Sequence, residues 1–193
     1  PQLAATTPRL QAESAILSRM QLRELASYVP EAAGMRNWIL KYQMSRDGAS
    51  LSTLLHRLEA SPDTEGPERR HSYLSCLIVI EDTWGYVFGG YIDGPMRRAA
   101  SYYGNGKCFV FRSRPRLEIF RWTGKNELLV LSNDDMLAMG GGGRGFAFQL
   151  DNELDTGVSN ASETYGNAQL SSSEFFHCLN LEVWTFEEPS LLL

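Results

Sequence analysis

Long hydrophobic runs are missing from this 193-residue chain: stretches such as Leu77-Ile78-Val79-Ile80 fall far short of the ~20 apolar residues that a membrane-spanning helix needs. Cysteine is scarce and odd in number, with only Cys76, Cys108 and Cys178. That spacing offers neither a disulfide framework for a small secreted domain nor a C-x-x-C metal or redox motif. Histidine is equally sparse, limited to His56, His71 and His177, which leaves few bases for hydrolytic chemistry. No secretory n-region and h-region open the chain. Positive charge is in deficit, with 18 Lys and Arg against 23 Asp and Glu, and phosphate contacts demand a basic face. These absences exclude a helical membrane protein and argue against a nucleic-acid binder or a C-x-x-C zinc domain. They point to a reducing, cytosolic setting.

What is present fits one soluble, packed domain: 43% of residues are hydrophobic and 21% charged. The first residue is Pro1 rather than Met, the mark expected of a processed or excised chain. Residues 1–16 are rich in Ala, Thr and Pro and read as a tail or linker. Ser18 then offers an N-cap, Gln21 completes a capping box, and Leu17 and Leu22 occupy the hydrophobic staple positions. A helix over Ser18–Val29 follows, stopped by Pro30. A second helix is expected over Ser50–Leu58, where Leu51, Leu54, Leu55 and Leu58 make one apolar face. The stretch Ala60–Ser72 combines two prolines, a glycine and many charges and reads as a mobile loop.

From Tyr73 onward the pattern turns to strands. Expected strands are Leu74–Ile80, Tyr86–Ile92, Lys107–Arg112, Leu117–Trp122, Leu128–Ser132, Phe146–Leu150 and Leu179–Phe186, with Trp38–Met44 preceding them. Turn residues at Asp82–Gly85, Asn105-Gly106, Thr123-Gly124 and Asp151-Asn152 punctuate the series. Short strands without alternating helices predict a mainly β (α+β) fold: a two-sheet antiparallel β-sandwich with two or three short helices at its periphery.

The ordered segments also resemble a known family. Gly48–Leu54, Asp82 with Gly85–Tyr91, Tyr102–Phe111, Glu118–Gly124, Met139–Gly143, Glu163–Asn167 and Leu181–Phe186 are together similar to the TLDc domain, spanning nearly all of residues 17–188. Residues 189–193 are left as a C-terminal tail. The resemblance implies a β-sandwich, a role in oxidative-stress resistance, and a cytoplasmic protein recruited to organelle membranes through a partner. Its implied partner is the soluble sector of the V-type proton ATPase. It brings no agreed catalytic residues, and the chain is expected to act as a monomeric interaction module without cofactor or metal.

Beside this resemblance, the sequence offers no clear catalytic constellation. G-x-S-x-G is absent, so nothing marks a nucleophile elbow. The adjacent acids Glu81-Asp82, Asp134-Asp135 and Glu187-Glu188 would point to opposite faces of extended chain, which does not make an acid/base dyad. No H-E-x-x-H, EF-hand loop or Cys/His cluster suggests a metal. Gly140–Gly145 formally holds G-x-G-x-x-G, but Phe146–Leu150 behind it reads as a strand, not the helix that a dinucleotide site requires. Gly140, Gly141, Gly142 and Gly143 are therefore read as a structural turn, with an anion nest beside Arg144 as the alternative. The alternative function is a thiol-based antioxidant enzyme using Cys108, beside Lys107, or Cys178, beside His177.

Charge is unevenly spread. Residues 1–125 hold 17 basic and 12 acidic side chains, a net +5, whereas residues 126–193 hold 1 basic and 11 acidic, a net −10. Such asymmetry hints at charged partner surfaces. Candidates are Arg112, Arg114 and Arg116, expected to be exposed around Pro115, and the acidic pair Asp134 and Asp135.

Overall fold

The computed structural model describes residues 9–58 and 75–187. The first helix, α1 (Arg19–Ala26), starts where its cap dictates. Gln21 N donates to Ser18 Oγ at 3.3 Å while Ser18 N donates to Gln21 Oε1 at 2.9 Å, closing the capping box. Leu17 and Leu22 are both buried, as a staple requires. The helix ends at Ala26 instead of Val29, because Ser27 turns its hydroxyl back onto Glu24 O. Two single-turn helices escaped the sequence pattern, α2 (Glu31–Gly34) and α3 (Met44–Asp47). The second long helix, α4 (Leu51–Leu58), buries Leu51, Leu54 and Leu55 and leaves His56 outward, as its stripe predicts.

The strands run β1 (Arg9–Leu10), β2 (Asn37–Gln43), β3 (Cys76–Asp82), β4 (Val87–Ile92), β5 (Phe109–Arg114), β6 (Glu118–Arg121), β7 (Val130–Ser132), β8 (Met136–Met139), β9 (Phe148–Asp151), β10 (Thr156–Val158) and β11 (Phe175–Glu187). One sheet has the order β1-β2-β11-β3-β4-β5-β6 and the other β7-β8-β9-β10-β11. Among the described residues, all strand pairs are antiparallel except β1 with β2. The mainly β, sandwich-like architecture follows.

The 13-residue β11 joins the halves. Its first residues pair with β10, and from Cys178 onward it pairs with β3 and then β2. A register shift between Cys178 and Asn180 lets one strand serve both sheets. It begins four residues before the expected Leu179, because Phe175–Cys178 alternate exposed and buried beside three-residue β10.

Two cores result. Between the sheets lie Ile78, Ile80, Phe88, Val110, Met139, Phe148 and Val183, together with the leucines of α4. On the opposite face of the first sheet, Leu77, Val79, Phe109, Trp184 and Phe186 pack against Leu22 and Leu25 of α1. Strands β3 and β4 are thus buried on both faces, which is why they read as continuous apolar runs and not as alternation. In β4, Gly89 and Gly90 permit close approach: a Cβ at Gly90 would lie 2.3 Å from Met139 Sδ across the core.

The segment 9–16, grouped by sequence with a tail, is instead docked. Arg9 and Leu10 pair with β2, and Ser14 and Ala15 hydrogen-bond to the buried carboxylate of Glu182. The expected loop at 60–72, His71 and the tail at 189–193 lie outside the described residues.

Candidate functional site

The glycine turn follows β8, and its geometry is built by a distant segment. Gly140, Gly142 and Gly143 have φ of +77°, +76° and +67°, a region costly for residues bearing a Cβ. Gly141 does not share it; there a Cβ would meet Leu128 at 2.7 Å. Gly141 N donates to Thr164 Oγ1 at 2.9 Å, and Thr164 donates to Asn126 Oδ1 at 2.7 Å. Glu163 N returns a bond to Gly141 O at 3.1 Å. Ser162 donates to Asn167 Oδ1 at 2.6 Å, and Asn167 donates to Asn160 O at 2.9 Å.

The turn therefore docks onto residues 160–167. Its amides at Gly140, Gly141 and Gly145 bond to Leu129 O, Thr164 Oγ1 and Gly142 O, so these three donors are satisfied within the fold. Strand β9 follows instead of a helix, so dinucleotide geometry is absent. Sequence reasoning identified the glycines but missed Thr164 and Asn126, since long-range side-chain bonds leave no local periodicity.

The thiols sit in the interior. All three cysteines are free and buried. Burial pushes Cys178 up to about 12, with the acids Asp155, Asp151 and Asp82 adding to the shift. Burial is also the largest cause raising Cys76 and Cys108; for Cys108, hydrogen bonds from the Asn105 and Asp93 backbone offset part of it. Lys107 thus does not make Cys108 a low-pKa thiol.

The basic cluster is built into the fold. Arg112 bonds Glu118 and Gln169 O, and Arg114 bonds Glu81 at 3.0 Å and Ile16 O at 3.2 Å. Both are partly buried, contrary to the expected exposed hairpin, because they join β5 to β3, β6 and the N-terminal segment. Arg116 alone of the three is well exposed, at 78% of its side chain, and it meets Glu118 at 2.8 Å. At the β7–β8 turn, Asp134 and Asp135 are exposed, with Asp134 paired to Arg98 at 3.0 Å.

Among the described residues, two acidic residues are buried: Asp82, read from the sequence as a turn residue, and Glu182, which the sequence reading did not single out. Asp82 accepts from Trp84 N and Tyr86 N, both at 3.0 Å, and from Ser172 N at 2.8 Å, pinning the β3–β4 turn to the loop before β11. Glu182 accepts from Ala15 N at 2.7 Å and Gln43 Nε2 at 3.2 Å on one oxygen, and from Ser14 Oγ at 2.6 Å and Trp184 Nε1 at 3.1 Å on the other. An acid inside an otherwise apolar strand, flanked by Leu181 and Val183, is the signal that could have found it.

A cleft of about 260 Å³ opens on the second sheet between β9, β10 and β11, lined by Asp151, Thr156, Phe175 and His177 among others. Asp151 is occupied as a turn acceptor for Asp155 N, Thr156 N and the Thr156 hydroxyl. Thr156 thus donates to Asp151 and not to His177, so no nucleophile–base pair forms there. Among the described residues, no group of three or more His, Cys, Asp or Glu could hold a metal ion. No described helix is long and apolar enough to cross a membrane.

Comparison with known proteins places these features in a family context. A family model described as the TLDc domain matches residues 10–187. Oxidation resistance protein 1 of Homo sapiens is 36% identical over 180 residues, covering 93% of this chain and 19% of that protein. Nuclear receptor coactivator 7 of Mus musculus is 36% identical over the same share of this chain and 18% of its own length. Oxidation resistance protein 1 of Xenopus laevis is 34% identical, with 20% of its length covered. The chain spans about a fifth of the length of the curated relatives it matches.

Proposed function

The chain belongs to the TLDc domain family, and from that premise we propose that it is a non-enzymatic interaction module acting in oxidative-stress resistance. The observation that carries this reading is the burial of all three thiols. Direct peroxide scavenging needs an accessible thiolate, and here burial raises each thiol instead of lowering it. That same observation weighs against the thiol-enzyme alternative through Cys108 or Cys178. The polar constellations that the fold does build, around Gly140–Gly143, Asp82 and Glu182, bind the chain to itself.

The proposed partner is the soluble sector of a V-type proton ATPase, with the chain acting in the cytoplasm on pump assembly. The acidic half, including exposed Asp134 and Asp135, is the proposed contact; Arg112 and Arg114 are spent on internal bonds. Interferometry of the chain against the purified ATPase sector tests this. Saturable binding that weakens with salt and with Asp134→Lys/Asp135→Lys supports it, and absence of a complex refutes the partner.

A further inference from the structure

The outer face of β11 is divided. From Glu182 to Phe186 it is covered by the N-terminal segment and α1, where Ser14 and Ala15 bond Glu182 and Trp184 packs with Leu22 and Leu25. Toward its start, the same strand presents Phe175, His177 and Leu179 outward, with Phe176 and Cys178 buried between them. Phe175 is 73% exposed and Leu179 56%. Trp84, 81% exposed, is carried on the turn that adjoins this strand: Thr83 N donates to His177 O at 3.1 Å, and Asp82 fixes the turn. A rigid strand and a pinned turn thus hold three large apolar side chains in solvent, an arrangement characteristic of interaction sites.

The surroundings select the partner. Exposed Glu153, Asp155 and Glu174 lie around the β11 end of the patch, with Glu174 next to Phe175 and Asp155 O accepting from Cys178 N. Such a rim repels phosphates and anionic lipid headgroups and favours cationic groups. The adjoining cleft of about 260 Å³ falls below the ~300–1,000 Å³ usual for small-molecule sites but can admit one side chain. We propose that Trp84, Phe175 and Leu179 form a docking surface for a protein segment that places an apolar side chain beside lysines or arginines. This rests on the interaction-module reading and adds to the Asp134/Asp135 contact a second surface with its own chemistry.

Selection of random 12-residue peptides displayed on phage against the immobilised full chain tests it. Enriched peptides are expected to combine an aromatic or aliphatic residue with Lys or Arg. Their synthetic forms should bind at least about tenfold more weakly to Trp84→Ser or Leu179→Ser chains. A Glu153→Lys/Asp155→Lys/Glu174→Lys chain, which keeps the apolar residues, should weaken the same peptides several-fold and abolish their salt dependence. Failure to enrich any peptide, equal enrichment of acidic sequences, or binding unaffected by these substitutions overturns the proposal. Dimerisation of the chain that Trp84→Ser abolishes, read by light scattering, overturns it in favour of a second copy as the occupant. The ATPase-sector complex is measured on the same variants. If it persists while no peptide is selected, the surface assignment alone fails; if both are absent, the module reading fails with it.

Discussion

Replacing Glu182 with glutamine removes charge while preserving shape, and the geometry around it sets the cost. Two of the four donors can reverse, since Ser14 and Gln43 have acceptor lone pairs to offer. The other two cannot: Ala15 N faces one carboxylate oxygen and Trp184 Nε1 the other. Whichever way the amide sits, its NH2 therefore confronts one fixed N–H. One buried donor left unpaired costs ~1–3 kcal/mol, and the remaining bonds lose charge assistance, so about 2–4 kcal/mol in all is expected. For a chain of this size ~1 kcal/mol shifts Tm by ~2–4 °C, giving a fall of roughly 5–15 °C. Scanning calorimetry measures the total. Amide hydrogen exchange localises it, because Ala15, Ile16 and Leu17 should lose protection before the β3–β4 pair. A Tm within ~1 °C of the parent, with unchanged exchange at Ala15, would refute the assignment of Glu182 as the anchor of the N-terminal segment.

Other perturbations separate the parts of the fold. Gly140→Ala should cost about 2–4 kcal/mol, combining φ +77° with a Cβ 2.8 Å from Ser162 Oγ, whereas Gly143→Ala, with its nearest contact at 3.4 Å, should cost only about 1–2 kcal/mol; equal thermal shifts would contradict this. Arg116→Glu should leave Tm nearly unchanged, while Arg112→Glu and Arg114→Glu should lower it clearly, since those two side chains hold Glu118, Gln169 O, Glu81 and Ile16 O. Alkaline pH should destabilise the chain. A thiol whose folded pKa is raised stabilises fully below its unfolded value of ~8.5 and loses ~1.4 kcal/mol per pH unit above it, for Cys178 up to about 12; urea titrations that stay flat between those limits would contradict the burial of the thiols. Acid should destabilise in the opposite sense, because Arg46 beside Asp47 and Arg116 and Arg112 beside Glu118 hold these carboxyls below their ordinary values, so their contribution disappears as pH falls through the lowered values.

The sandwich was legible wherever local chemistry carried it. The capping box at Ser18 and Gln21 marked the start of α1, and the β-branched and aromatic runs of β3, β4 and β5 marked the central sheet. Strand β8 was missed because Met136-Leu137-Ala138-Met139 has no β-branched residue and mixes buried side chains on both faces. Thr156-Gly157-Val158 was missed because a central glycine reads as a turn; it is tolerated since Phe176 and Gln149 O fill the space a Cβ would need. Local composition made Arg112 and Arg114 look exposed, and only long-range pairing to Glu81, Ile16 and Gln169 buries them. Phe175 and Leu179 were hidden for a related reason: large apolar residues in strands are ordinarily core, and local sequence does not say which face the fold leaves uncovered.

The central claim is that the protection proposed for this chain does not pass through thiol chemistry. Its most direct test is survival under hydrogen peroxide of cells that lack their own TLDc proteins and express either the parent chain or a Cys76→Ala/Cys108→Ala/Cys178→Ala variant. Expression level and Tm of both chains are measured in parallel. Equal protection by the two chains is the predicted result. Loss of protection by a folded, equally abundant variant contradicts the account.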